Sequence, residues 1–137
     1  MDNTEELRQW FDLAEQNLRL AKNGAATMHP MPVETICNLC QQSVEKDLKG
    51  YLFLNQIEFP KTHDLSAILV LCADIVPDFM KYEKQCKYLT NFAVMPRYPN
   101  DLQITEDDAK TAIRFAEEIK EFVVNTCATQ SASITHN

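Results

Sequence analysis

The chain has 137 residues but only two glycines, Gly24 and Gly50. Sandwiches and barrels need many tight turns, so this scarcity excludes most all-β architectures and favours a few long helices. Also missing is any apolar run approaching the roughly 18 residues of a membrane span. The opening stretch MDNTEELRQW is acidic and unlike a signal peptide, so a cytoplasmic protein without membrane contact is expected. Positive charge is short as well, with 13 Lys and Arg against 20 Asp and Glu and a net charge of −7. That balance weighs against gripping nucleic acid over a broad basic face and leaves room for a small phosphate pocket.

The five cysteines are Cys37, Cys40, Cys72, Cys86 and Cys127, an odd count that suggests reduced thiols. Cys37 and Cys40 form a CxxC. A zinc site would want a second pair at similar spacing, and a redox motif would want a strand before it. Neither is present, so no metal and no cofactor is expected. Their helical register beside Ile36 and Val44 reads them as small buried apolar residues.

What the chain does have is helical periodicity, with 45% hydrophobic and 24% charged residues. Leu7, Trp10, Phe11, Ala14, Leu18 and Ala21 make one apolar stripe, on a helix expected to end at Asn23-Gly24. From Val33 to about Asn55 the stripe is Val33, Ile36, Cys37, Cys40, Val44, Leu48, Tyr51 and Leu52. The opposite face carries Asn38, Gln41, Gln42, Glu45, Lys46 and Lys49, with Glu45 and Lys49 in the favourable i,i+4 order. Gly50 inside this helix hints at close packing. Thr62 or Asp64 can cap a third element, which Pro77 splits into about 64–75 and 77–92. Thr105 and Asp108 resemble a capping box before a last helix, whose stripe is Ala109, Ala112, Ile113, Ala116, Ile119 and Val123. That helix is expected to end near Cys127, leaving 128–137 as a disordered polar tail and 3–127 as the folded domain. An all-α, antiparallel up-down four-helix bundle accommodates these rods and short links.

The segments WFDLAEQNLRLAK, CQQSVEKDLKGYL, PKTHDL, PRYPND and TEDDAKTAIRFAEEI together resemble the HEPN domain family, from about Leu7 to Ile119. The resemblance is carried most specifically by Gln41-Gln42, Glu45-Lys46, Leu48-Lys49, the Thr62–Leu65 turn and Arg97-Tyr98-Pro99. It implies a bundle of four or five helices that commonly forms a homodimer. It also implies a prokaryotic setting beside a small nucleotidyltransferase, frequently as toxin and antitoxin. Many relatives are metal-independent ribonucleases using an arginine followed, after four to six residues, by a histidine. This chain's only histidines are His29, His63 and His136, and Leu102, Gln103 and Ile104 occupy the positions that the motif requires after Arg97. The ribonuclease signature is absent.

Candidate ligand-binding residues are therefore Gln42, Lys46, Lys49, His63, Arg97 and Tyr98. A guanidinium holds phosphate bidentately, a phenol donates to it or stacks on a base, and an imidazole contacts phosphate or moves a proton. The plainer reading makes Arg97 and Tyr98 a proline-fixed turn, His63 a capping residue and the lysines a solvated face. The leading functional expectation is a binding module for a nucleotide, an RNA phosphate or a nucleotidyltransferase partner. The alternatives are a ribonuclease with His63 as proton carrier and Arg97 as phosphate clamp, and a purely structural dimerisation domain.

Overall fold

The computed structural model describes residues 3–94 and 103–135, with side chains as far as residue 131. Among these there are five α-helices, one 3-10 helix and no strand. The helices are α1 (Asn3–Thr27), α2 (Val33–Leu54), α3 (Leu65–Ile75), α4 (Glu83–Thr90) and α5 (Glu106–Thr135). The 3-10 helix, Pro77–Tyr82, separates α3 from α4, so the third element divides at Pro77 as its fixed φ and missing N–H dictate.

The core is built around α2. Its residues Ile36, Cys37, Cys40, Val44, Leu48, Tyr51 and Leu52 are all at most 1% exposed. α1 lies antiparallel to it: Gly50 faces Trp10 and Phe11, the Ser43 hydroxyl donates to the Ala14 carbonyl at 2.8 Å, and Gly24 faces Pro32 and Ile36. α5 runs in the same direction as α2, with Lys120 beside Asp47 and Gln130 beside Tyr51. α4 and the 3-10 helix before it run against α5, pairing Tyr82 with Phe122 and Tyr88 with Asp108. The Thr105–Asp108 capping box is formed, with Thr105 N donating to Asp108 Oδ2 at 2.9 Å and Asp108 N to Thr105 Oγ1 at 3.1 Å.

Strict up-down alternation is not followed. α3 runs alongside α2 in the same sense, since His63 sits beside Gln41 and Glu45 while the Cys72 thiol faces the Leu48 carbonyl. The link between Leu54 and Leu65 has ten residues. An extended stretch of that length reaches roughly 33 Å, twice the rise of about 16 Å that separates Leu52 from Gln41 along α2. The link doubles back on α2 and delivers α3 to its starting end.

Two helix ends also differ from the sequence expectation. α1 continues through Asn23-Gly24 to Thr27, with Gly24 buried against Pro32 and Ile36 and no glycine at positive φ. α5 continues through 128–135, where a disordered tail was expected. Gln130 explains the continuation: it accepts from the Tyr51 hydroxyl at 3.0 Å and donates to Asn55 Oδ1 at 2.7 Å. A polar stretch without apolar periodicity is thereby held by side-chain hydrogen bonds.

Candidate functional site

The polar face of α2 is not the solvated stripe its composition suggests. Gln41 is 1% exposed and Lys49 is 8% exposed. The reason is the doubled-back link, which lies over this face and supplies partners for it.

Glu45 is the hub. Its Oε1 accepts from Gln41 Nε2 at 3.1 Å and from His63 Nδ1 at 2.9 Å, and its Oε2 accepts from Lys49 Nζ at 3.0 Å. Gln41 Nε2 also donates to the His63 backbone carbonyl at 3.0 Å, so the histidine is held by ring and by backbone. The Lys49 ammonium lies 5.6 Å from the centre of the Phe59 ring, and Phe59 meets Trp10 edge-on at 5.7 Å. A continuous line of contacts thus runs from α1 through the link to His63.

The electrostatics follow from this geometry. Burial alone would raise the Glu45 carboxyl, but hydrogen bonds from His63, Gln41 and Lys49 outweigh it and hold the group below its ordinary value. An ionised carboxylate only accepts, so His63 Nδ1 is the donor and Nε2 is left for solvent or a ligand. The His63 side chain is 70% exposed. Asp64, the next residue, caps α3 by accepting from Ser66 N at 3.0 Å, so His63 stands at the positive end of a helix.

The same end of the bundle anchors the exit from α4. Asn38 Nδ2 donates to the Phe92 carbonyl at 2.8 Å, and Asn38 Oδ1 accepts from Gln42. Leu65 N donates to Thr90 Oγ1 at 3.1 Å, tying the start of α3 to the end of α4. Chain entry at His63 and exit at Ala93 are therefore both held by the first half of α2.

Of the residues singled out in the sequence, Lys49 and His63 are joined through Glu45, and Gln42 braces Asn38. Lys46 turns away: its Nζ donates to Asn17 Oδ1 of α1 at 2.7 Å, and burial lowers its pKa. Arg97 and Tyr98 lie outside the described residues. Glu45, Gln41 and Asn38 were missed as site residues, although the i,i+4 ladder Gln41–Glu45–Lys49 was visible in the sequence. Cys37 and Cys40 are buried with free thiols, and burial raises Cys37 to about 12. Among the described residues no cluster of His, Cys, Asp or Glu could hold a metal, and no helix is long and apolar enough to cross a membrane. The larger surface grooves lie elsewhere, one of about 840 Å³ along α1 at Glu15 and Arg19 and one of about 420 Å³ between Val76 and Phe122. The first is lined by the charged residues Glu15, Arg19 and Lys22 and the second by Asp78, and neither is lined by a histidine.

The HEPN domain family model matches residues 7–127. The chain belongs to the HEPN domain family. Its fold is similar to the crystal structure of ST0689, an archaeal HEPN homologue, at 26% identity and a TM-score of 0.68, covering 88% of this chain and 96% of that one. It is likewise similar to TT1696 from Thermus thermophilus, at 26% identity and a TM-score of 0.69, covering 87% of this chain and 96% of that one. A comparison with curated proteins returns no match. Within this HEPN chain, α1 to the middle of α5 form the matched domain, and the last turns of α5 extend beyond it.

Proposed function

We propose that this HEPN protein is a binding module that takes the phosphate of a nucleotide or an RNA at His63. The observation that carries the reading is the exposed imidazole anchored through Nδ1 to Glu45, which leaves Nε2 for a ligand. Three features support it. Lys49 balances the Glu45 carboxylate, so the positive charge of a protonated His63 is not cancelled for an incoming anion. The α3 N-terminus adds a favourable partial charge. Chain leading to Arg97 and Tyr98 enters from Ala93, which is held at the same end of the bundle, so both are proposed as further phosphate or base contacts.

The protein acts as a homodimer and engages a nucleotidyltransferase in a toxin–antitoxin-like, prokaryotic and cytoplasmic setting. Dimerisation is supported by exposed Leu13 and Leu20, about two turns apart on one face of α1. Without the Arg-x4-6-His pattern, binding rather than cleavage is the primary reading. The carboxylate–imidazole pair favours one alternative, metal-independent phosphodiester cleavage with His63 moving the proton and Arg97 clamping the phosphate. Isothermal titration with nucleoside mono-, di- and triphosphates tests binding, with His63→Ala expected to weaken it at least tenfold. Incubation with RNA in chelator tests the alternative, which predicts cleavage lost in both His63→Ala and Arg97→Ala.

A further inference from the structure

We infer that Glu45 is the positioning residue of this site, fixing His63 as the Nδ1–H tautomer with Nε2 facing the ligand, and that Lys49 keeps Glu45 from repelling the phosphate. The inference rests on the phosphate-binding reading of His63 and assigns to the carboxylate and the lysine two separable tasks.

The argument starts from saturation. Glu45 accepts three hydrogen bonds, two on Oε1 and one on Oε2. Gln41 and Lys49 come from its own helix, one turn before and one turn after, so the carboxylate is locked before His63 arrives. Its Oε1 is then a fixed acceptor aimed at the link. An imidazole held at 2.9 Å through Nδ1, with its own backbone carbonyl held by Gln41, has little freedom to rotate about its ring axis. Free imidazole chooses its tautomer according to its surroundings; here a carboxylate can be satisfied only by Nδ1–H. Nε2 then accepts a proton from a ligand hydroxyl when the ring is neutral and donates to phosphate oxygen when it is protonated.

Charge supplies the second half. A lone carboxylate 2.9 Å from the ring would offset an imidazolium and oppose an anion. Lys49 is only 8% exposed and set against the Phe59 ring, and among the described residues its ion-pair partner is Glu45, so its charge is directed to that carboxylate. The pair is locally neutral, so an anion approaching His63 does not meet an uncompensated Glu45 carboxylate. Orientation depends on Glu45 and charge balance on Lys49, and the two respond differently to substitution.

The test uses the full chain labelled with ¹⁵N, recording imidazole nitrogen shifts well above the ordinary histidine pKa of about 6.5 to read the tautomer, and titrating below it, where Nε2 carries a proton to donate, to read binding. His63→Ala identifies the resonance, and inorganic pyrophosphate is the titrant. In the wild type His63 is expected as Nδ1–H, with Nε2 shifting on titration. Glu45→Ala should lose the tautomer and weaken pyrophosphate about tenfold, and Glu45→Gln, which keeps an acceptor oxygen, should restore the tautomer. Lys49→Met should keep the tautomer and still weaken pyrophosphate, which a merely structural role of Glu45 would not produce. A wild-type His63 found as Nε2–H, or a tautomer unchanged in Glu45→Ala, overturns the positioning role. Unchanged pyrophosphate affinity in Lys49→Met overturns the charge role. A wild type that holds Nδ1–H yet ignores pyrophosphate overturns the phosphate-binding reading while leaving the tautomer assignment standing.

Discussion

Two glycines in two helices have opposite consequences. A Cβ at Gly24 would lie 3.5 Å from Pro32 Cγ and 3.6 Å from Ile36 Cγ1, ordinary contact distances. Gly24→Ala should therefore stabilise the protein by about 1 kcal/mol, the helix-propensity gain, in a denaturant titration. At Gly50 the same atom would lie 2.8 Å from the Phe11 ring and 3.1 Å from Trp10 Cβ, and the latter belongs to a side-chain root that cannot swing aside. Gly50→Ala should cost about 1–2 kcal/mol despite the better propensity. A stabilised Gly50→Ala would mean that α1 and α2 approach less closely than described.

Asp47 carries a different kind of tension at the same scale. It is 1% exposed, its Oδ2 has no hydrogen-bond partner among the described residues, and its Oδ1 shares the Lys120 ammonium with Glu15. Burial pushes its carboxyl up to about 6 from 3.8, more than Lys120 pulls it down. A raised acid in the fold means that the native state holds its proton more tightly than the unfolded chain. This group therefore favours folding below about pH 4, and that contribution is lost as pH rises to about 6. Asp47→Asn should flatten this part of the stability–pH curve and raise the melting temperature at pH 7 relative to wild type. Thermal melts across pH 4–8 measure it, and parallel curves for the two proteins would sink the assignment.

Among the elements, the link 55–64 decides more than its lack of secondary structure suggests. Phe59 fills the space between Trp10 and Lys49, and His63 closes onto Glu45. Phe59→Ala should cost about 1–2 kcal/mol for a half-buried ring and raise amide exchange through residues 56–64, since those backbone groups lose their anchor. The extension of α5 rests on fewer contacts. Gln130→Ala should speed exchange in its last turns while leaving the global stability within about 0.5 kcal/mol of wild type. Helix existence was legible from period and punctuation: the stripes of α1, α2 and α5, Pro77, and the Thr105–Asp108 box all stand where the pattern put them. Helix direction was not. Whether α3 runs with or against α2 depends on the path of a ten-residue link whose key anchor, Phe59, carries no periodic signal. The end of α5 was illegible for a related reason, because Gln130 is held by residues from the far end of α2.

For the molecule as a whole, family membership was readable from motifs spread along the chain, and the site was readable only in part. The Glu45–Lys49 pair shows in one helix, but its meeting with His63 spans 18 positions and needs the folded link. Lys46 shares their helix face in sequence and is drawn instead to Asn17 on α1. The proposed dimer is testable at this scale: replacing Leu13 and Leu20 by Glu should shift sedimentation from dimer to monomer without lowering helicity. The central claim is that an acidic HEPN protein takes phosphate at one built position rather than by diffuse charge. Its most direct measurement is a calorimetric titration of the tightest nucleotide into wild type, His63→Ala and the exposed control Arg114→Ala. Binding retained in Arg114→Ala and weakened at least tenfold in His63→Ala is the predicted result; equal affinity in all three proteins would contradict it.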